Sequence, residues 1–322
     1  MNSQSSRLRS IIGAAAILLA GSAAAQDVSH VTVKDDRGVE VQVPANASRI
    51  AAVSYLAVDV ALALGIKPVA TTYMTADRNP DFLLGLTKDM KAIGQRAKPN
   101  LELLSEVKPD VIVAMRRYTS ANAPQLEKLA PLVAYNMELL SQSYQEVANL
   151  SKIFGKPERG EELNANFKRD LETYAAKAPK GEKPRFQIMW AGDTPFSFHT
   201  ENTTASIVAA LGGDNIIGPV TQDGKFGVQV SLETMLEKDP QVIFVYDSGP
   251  NRPHENNPIW QQLSAVKNNR VHYVGDHWVE TQGPIAREIV LKEAAHFLYP
   301  ATFPAIDVRA EAAKMVPAEL QK

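Results

Sequence analysis

The sequence contains no cysteine. A disulfide framework is therefore excluded, and the fold must be held together by its own hydrophobic core. For the same reason no lipid-modified cysteine can follow a cleavage site. After the first 25 residues, no apolar run approaches the roughly 20 residues that a membrane-spanning helix needs. The sequence also lacks the phosphate loop G-x-x-x-x-G-K-[ST], so we do not expect the chain itself to hydrolyse ATP.

Residues 1–25 have the pattern of a secretory signal peptide. Arg7 and Arg9 precede the short apolar run IIGAAAILLAG, and the alanines at 23–25 offer a small-residue cleavage site. The apolar run is about half the length of a membrane span, which makes an anchor helix the less favoured alternative. We therefore expect export to the periplasm of a Gram-negative cell, with a mature chain that starts near Gln26.

The mature chain is large and slightly acidic. Without Arg7 and Arg9 it carries 32 Lys and Arg residues against 36 Asp and Glu residues. No basic stripe is evident, which argues against a nucleic-acid partner. About 297 residues exceed the size at which single cores stop growing, so two domains are the default expectation.

Two stretches of the chain look alike: LELLSEVKPDVIV at 101–113 and LETMLEKDPQVIFV at 232–245. In each, a Leu-Glu pair opens a helical segment, a proline follows the glutamate by seven residues, and a β-branched run comes next. The two glutamates, Glu102 and Glu233, are 131 residues apart. The repeat predicts two lobes that are built to a similar plan, whether by duplication or by convergence.

Strands alternate with helices in both halves, which indicates βα units and a mainly parallel sheet in each. Between the halves, ERGEELNANFKRDLETYAAKA predicts one long helix without proline. This helix is either a rigid connector or an ordinary helix that packs on one domain. We predict an α/β protein with an N-terminal lobe at 26–155, a connector helix at 156–180 and a C-terminal lobe at 181–322.

Ligands of open α/β sheets bind beyond the carboxyl ends of the strands. The two equivalent strands are followed by polar loops that carry Arg116 and Arg117 in one half and Arg252 in the other. Arginine suits an anionic ligand because its planar fork matches carboxylate-like oxygens, although loop arginines are often simply solvated. The aromatic candidates at the same level are Tyr118, Trp190 and Trp278, which could cover a planar ligand or belong to the core.

Other site chemistries are less well supported. The six histidines do not suggest a bare metal site, and we keep only His254 as a ligand contact. A secreted hydrolase would need a serine nucleophile such as Ser248, but Tyr246 stands where the G-x-S-x-G elbow needs its first glycine. We therefore do not expect an enzyme.

Glu102 and Glu233 each lie just inside a predicted helix start, after the N-cap candidates Asn100 and Ser231. An acid in the first helical turn is explained by the helix dipole alone. One acid at the same position of each lobe, however, could also dock on a two-fold symmetric partner that carries basic pockets.

Five stretches, in order, carry a family resemblance: RIAAVSYLAVDVALALGIKPVA, IGQRAKPNLELLSEVKPDVIVA, QLEKLAPLV, VSLETMLEKDPQVIFV and NPIWQQLSAVKNNRVHYVGDHW. Through them, nearly the whole mature chain resembles the periplasmic binding proteins of iron-siderophore, haem and cobalamin ABC importers. The resemblance implies two α/β lobes bridged by one long helix, of the class III type, with a ligand in a shallow cleft. It also implies that Glu102 and Glu233 engage arginines of a dimeric permease in the inner membrane.

FSFHTENTTASIVAALG is most similar to the ferric-citrate binding branch. The positions that align with citrate-binding arginines of that branch are Gly192, Gly249 and Gln282, whereas Arg117 aligns with an arginine of catecholate-siderophore binders. The resemblance therefore favours a larger ferric siderophore, bound by the arginines, aromatics and His254 named above.

This resemblance implies a monomeric carrier with no cofactor and no iron ligand of its own, since the iron arrives inside the siderophore. An outer-membrane receptor system would act upstream. Haem or a corrinoid is the alternative ligand, with Tyr118 or His254 as an axial ligand.

Overall fold

The computed structural model describes residues 29–181, 183–192, 194–220 and 225–322. The predicted signal peptide at 1–25 lies outside these residues. In the described part of the chain, no helix combines the length and the apolar character that a membrane crossing requires.

The first half contains a small hairpin and a six-stranded sheet. Its elements are β1 (His30–Lys34), β2 (Glu40–Pro44), β3 (Ile50–Val53), α1 (Tyr55–Ala63), β4 (Ala70–Tyr73), β5 (Lys91–Gln95), β6 (Lys98–Pro99), α2 (Leu101–Glu106), β7 (Val111–Met115), α3 (Arg116–Thr119), α4 (Ala123–Glu127), β8 (Leu132–Tyr135) and α5 (Leu140–Ile153). The sheet order is β6-β5-β4-β3-β7-β8, and every pairing is parallel except β5 with β6.

The long helix α6 (Pro157–Lys177) separates the two sheets along the chain, as the proline-free pattern predicts. The second half contains β9 (Arg185–Trp190), β10 (Phe196–Phe198), α7 (Thr203–Ala210), β11 (Asp214–Asn215), β12 (Gly227–Gln229), α8 (Leu232–Lys238), β13 (Val242–Tyr246), α9 (Ser264–Lys267), β14 (Val271–Val274), α10 (Pro284–Leu298) and α11 (Val308–Met315). Its sheet runs β12-β10-β9-β13-β14, with β11 also paired to β9.

The two sheets have the same arrangement of strands at their centres. In each, three neighbouring strands are parallel: β3-β7-β8 in the first half and β9-β13-β14 in the second. The repeated sequence units supply α2 and β7 in one sheet and α8 and β13 in the other. The predicted α/β class with two mainly parallel sheets is confirmed, while the predicted domain boundaries stay a prediction.

The two sheets differ in their outer strands. The second sheet continues from β9 into β10 and β12, which are antiparallel. The apolar spacing of the segment NPIWQQLSAVKN predicts one helix, but the segment contains a 3₁₀ turn at Trp260–Gln262 and the four-residue α9. Leu263 between them has extended backbone and is fully buried, so packing on the second sheet interrupts the helix.

The last long helix, α10, joins the halves. Its residues Ile285, Ala286 and Ile289 belong to the same core cluster as α1, whereas its Val290 and Leu291 pack in the core of the second sheet. At its start, Asp59 of α1 accepts hydrogen bonds from the backbone N–H groups of Ile285 and Ala286, both at 2.8 Å. These contacts hold the carboxyl ends of the two sheets close to each other.

Candidate ligand-binding cleft

Side chains at the carboxyl ends of the two sheets touch one another. Thr75, just after β4, lies with its hydroxyl 3.3 Å from that of Tyr246 at the end of β13. Arg78, in the same segment as Thr75, lies 3.3 Å from Asp276, which follows β14. We call the space between these two sets of strand ends the cleft.

Arg96 extends into the cleft directly after β5. It donates to Glu280 at 2.5 Å, and its guanidinium carbon lies 5.4 Å from the ring centroid of Tyr118. Burial lowers the pKa of Arg96, but the charge and hydrogen bond of Glu280, together with Tyr118 and Tyr246, outweigh this effect and leave the pKa raised. Glu280 is itself buried and also accepts from the backbone N–H of Tyr55 at 2.6 Å.

A second cross-cleft group consists of Arg78, Tyr246 and Asp276. The Tyr246 hydroxyl donates to Asp276 at 2.7 Å, and Arg78 donates to the same carboxylate oxygen. Burial raises the pKa of Asp276, and burial together with the charge of Asp276 raises that of Tyr246. This group therefore ties the segment after β4 to the ends of β13 and β14.

The predicted residues Arg116, Arg117 and Tyr118 form the short helix α3 at the exit of β7. Arg117 lies 3.3 Å from Glu138, and its guanidinium carbon lies 4.2 Å from the ring centroid of Phe226 in the second half. Burial raises the pKa of Glu138, an effect that the charge of Arg117 partly offsets. Arg116 is exposed and donates to the amide oxygen of Asn136 at 3.0 Å.

The predicted Trp190 belongs to an aromatic wall, which we define as Trp190, Phe196, Phe198, Phe226 and Tyr246. The Trp190 ring lies 5.9 Å from Phe196, 5.9 Å from Phe198 and 5.8 Å from Tyr246 between centroids. Phe196 continues the wall to Phe226 at 5.3 Å. Since Trp190, Phe196 and Phe226 are only partly buried, their rings are the parts of this wall that a bound molecule can contact.

Arg252 and His254 lie together in the segment after β13. The Arg252 guanidinium carbon lies 3.4 Å from the ring centroid of Tyr273, and Asp247 and Glu255 lie 3.6 and 3.9 Å from its nitrogens. His254 is 4% exposed, with Nε2 3.1 Å from the Tyr273 hydroxyl. Burial lowers the pKa of His254, so it is a neutral packed ring rather than an accessible axial ligand.

Trp278 does not lie in the cleft, although its position after β14 pointed there. It is fully buried, stacks on Phe244 at 4.6 Å and donates from Nε1 to Glu293 at 2.7 Å. A tryptophan with both its ring and its N–H satisfied inside the core has no face left for a ligand.

The two repeated glutamates occupy matching exposed positions. Glu102 is the second residue of α2, after Asn100, whose side chain accepts from the backbone N–H groups of Glu102 and Leu103 at 3.0 and 3.1 Å. Glu233 is the second residue of α8, after Ser231, which accepts from Thr234 N–H at 3.2 Å. Both N-caps are as predicted, and both carboxylates face solvent.

Sequence reasoning missed the cleft residues that follow β4 and β5, as well as those of the β14–α10 segment. These are Arg78, Arg96, Asp276 and Glu280. The sequence did contain a signal for the two arginines, because ligands bind beyond the carboxyl ends of all parallel strands and not only of the repeated pair. The two carboxylates had none, since only tertiary contact brings them opposite the arginines.

Two cavities of about 370 and 400 Å³ open beside these residues. One is lined by Arg78, Asp247 and Asp276, among others, and the other by Tyr55, Tyr73 and Arg78. Across residues 29–322, outside the gaps given above, no group of three or more His, Cys, Asp or Glu side chains could hold a metal ion.

Comparison with known proteins adds to this geometry. The profile of the family described as "Periplasmic binding protein" matches residues 50–277. The Fe(3+)-citrate-binding protein YfmC of Bacillus subtilis (strain 168) is 27% identical over 291 residues, which cover 87% of this chain and 89% of that protein. The Fe(3+) dicitrate-binding periplasmic protein FecB of Escherichia coli (strain K12) is 25% identical over 219 residues, covering 66% and 71%.

A solved structure shows the same fold. The petrobactin-binding protein YclQ of Bacillus subtilis superposes with a TM-score of 0.70 at 20% identity, covering 84% of this chain and 99% of that one.

Proposed function

The chain belongs to the periplasmic binding protein family, and we propose that it captures a ferric siderophore in its cleft and delivers it to an ABC-type permease. Members of this family bind substrates for transport and are not enzymes. Relatives named for binding ferric citrate, and a structural neighbour named for binding petrobactin, support an iron chelate as the ligand.

The observation that carries the proposal is the cleft itself. Two facing sets of strand ends combine arginine N–H donors with an aromatic wall, and both features suit a large iron chelate with polar edges and apolar arms. Of the predicted contacts, we retain Arg116, Arg117, Tyr118 and Trp190, and we add Arg96. The protein would need no cofactor, because the siderophore already fills the coordination sphere of the iron.

We propose the periplasm as the site of capture, which agrees with the description of FecB as a periplasmic protein. The permease would be engaged through Glu102 and Glu233, which lie exposed at equivalent helix starts of the two halves. Two carboxylates at matching positions suit a partner whose two subunits present equivalent basic pockets.

The experiment that tests the ligand is a titration of the mature protein, followed by its tryptophan fluorescence. The panel holds ferric citrate, ferric catecholates, ferric hydroxamates, haem and cobalamin, with the iron-free siderophores as controls. We expect saturable quenching by a ferric siderophore, and a loss of affinity of about tenfold or more in Trp190→Ala.

Trp278→Phe is the matched control, because Trp278 lies in the core. This variant should lower thermal stability and leave the affinity unchanged. If only haem or cobalamin binds, the ligand class is wrong. If nothing in the panel binds, the proposed function is wrong.

A further inference from the structure

The arginines of the cleft are largely neutralised by the protein's own carboxylates. Arg78 lies 3.3 Å from Asp276, Arg96 lies 2.5 Å from Glu280, and Arg117 lies 3.3 Å from Glu138. The Arg252 guanidinium lies between two further acids, at 3.6 and 3.9 Å. A count of arginines alone therefore overstates the positive charge that a ligand meets.

Two of these pairs cannot be opened easily. The side chains of Asp276 and Glu280 are each 1% exposed, and the arginines opposite them, Arg78 and Arg96, are 26% and 11% exposed. If a ligand drew either arginine away, it would leave a buried carboxylate without its cation, which is strongly unfavourable. Both arginines therefore serve to join the two sheets and are not free to bind an anion.

The other arginines are also constrained. Arg117 is held between Glu138 and the rings of Tyr118 and Phe226, at 5.1 and 4.2 Å from the two ring centroids. Arg116 donates to the uncharged amide of Asn136 and faces solvent, where its field is screened by salt. Within the described residues, the cleft thus offers little net positive charge.

What the cleft does offer is aromatic surface. Trp190 is a partly buried member of the aromatic wall, and the Tyr118 ring centroid lies 5.4 and 5.1 Å from the guanidinium carbons of Arg96 and Arg117. Aromatic faces gain from contact with apolar chelate arms whatever the charge of the complex. Paired guanidinium groups still have N–H donors for neutral oxygens at the ligand edge.

We infer that the ligand is a ferric complex of low net charge, of the tris-hydroxamate type, rather than a highly anionic tris-catecholate or citrate complex. Each hydroxamate carries one negative charge, so three of them balance Fe³⁺. Three catecholates carry six negative charges and leave a trianion. A trianion would need several free cations in the cleft, whereas a neutral complex needs hydrogen-bond donors and an aromatic surface.

This inference rests on the proposed function and is tested with three probes: ferrichrome as a neutral tris-hydroxamate, ferric enterobactin as a tris-catecholate, and ferric dicitrate. We expect ferrichrome to bind at least about tenfold more tightly than either anion, with little change in affinity between low and physiological salt. Tighter binding of ferric enterobactin or ferric dicitrate would overturn the inference and leave the proposed function standing. Binding of none of the three ferric complexes would contradict both.

A charge variant tests the physical cause. Glu138→Gln removes the acid that neutralises Arg117, and Glu138 is only partly buried, so the fold should tolerate the change. We expect the ratio of the affinity for ferric enterobactin to the affinity for ferrichrome to rise about fivefold. The matched control is Glu127→Gln, which removes an acid paired with Arg37 at 2.6 Å, on α4 and outside the cleft; this ratio should then stay unchanged. Equal shifts in both variants, or no shift in Glu138→Gln, would show that charge neutralisation does not select the ligand.

Discussion

At the scale of single residues, Glu146 on α5 is a buried acid without a cation. Its Oε1 accepts from the backbone N–H of Met137 at 3.0 Å, and in the described part of the chain Oε2 has no hydrogen-bond partner. Burial, with smaller contributions from Asp36 and Glu138, raises the pKa of Glu146 to about 8. Met137 has a left-handed backbone (φ 59°) and leads into Glu138, so this buried acid supports the loop that carries a cleft residue.

We predict that Glu146→Gln makes the stability of the protein less sensitive to a rise in pH from 5 to 8. Because the folded-state pKa lies above the ordinary value of 4.5, the protonated group stabilises the fold below pH 4.5, and this stability is lost as the pH rises to about 8. Glutamine keeps the acceptor for Met137 and does not ionise. Between pH 5 and pH 8, the melting temperature of the wild type should therefore fall by on the order of 5 °C more than that of the variant.

Thermal melts at both pH values measure this difference. Glu161→Gln, at an exposed position of α6, is the matched control and should show no such gain. A Glu146→Gln variant whose melting temperature follows the wild type in parallel would mean that Glu146 is not protonated in the folded protein.

At the scale of secondary-structure elements, the contact of α6 with α5 depends on one glycine. A Cβ added at Gly160 would lie 2.4 Å from Cβ and 2.2 Å from Oγ of Ser151, closer than such atoms approach in folded proteins. Ser151 is fully buried, so neither helix can move aside without opening the core. Gly160 is therefore needed for helix packing and not for backbone conformation.

We predict that Gly160→Ala destabilises the protein by about 1–3 kcal/mol, although alanine favours an isolated helix over glycine by about 1 kcal/mol. Urea unfolding at equilibrium measures the change. The double variant Ser151→Gly with Gly160→Ala moves the missing side chain to the other helix and should recover most of the loss. If Gly160→Ala is as stable as the wild type, the close approach of α5 and α6 is wrong.

A second pair of elements, α1 and α10, meets at an equally close contact. The Asp59 carboxylate accepts from the first N–H groups of α10, where the helix dipole favours negative charge. A side chain at Gly283 would collide with Asp59, since an added Cβ would lie 2.1 Å from its carboxyl carbon. The contact between α1 and α10 therefore requires a glycine at position 283. The sequence Gly-Pro before a helix indicates this requirement only in part.

At the scale of the whole molecule, the two sheets repeat a common centre of three parallel strands, and in each sheet a capped helix precedes the middle strand of the three. This arrangement places Glu102 and Glu233 at equivalent exposed points of the two halves. Exposed acids make small contributions to the fold, and for this reason we propose an external role for the pair.

We predict that Glu102→Lys combined with Glu233→Lys abolishes uptake and preserves ligand binding. Charge reversal opposes basic pockets of a permease but leaves the cleft untouched, so cellular uptake of the ferric complex should fall at least about tenfold while the affinity in titration stays the same. Glu106→Lys with Glu237→Lys is the matched control, because these exposed acids lie on the same two helices. Equal uptake defects in the two double variants would contradict a specific docking role.

The sequence by itself determined the class of fold and the order of its main elements. Apolar periodicity, N-caps such as Asn100 and Ser231, and the repeated Leu-Glu units are local signals, and α2, β7, α8 and β13 follow them closely. The same signals placed Arg117, Tyr118 and Trp190 near strand ends, because the residue at which a predicted strand ends can be read from the local sequence.

Only the tertiary structure decided which of these side chains face the cleft and which charges remain available there. Trp190 ends one strand of the second sheet and Trp278 follows another, yet the first is partly exposed and the second is stacked in the core. Arg96 and Glu280 are 184 residues apart in sequence and form a buried pair. Burial and charge pairing depend on contacts between distant segments, and for that reason a single sequence cannot assign them.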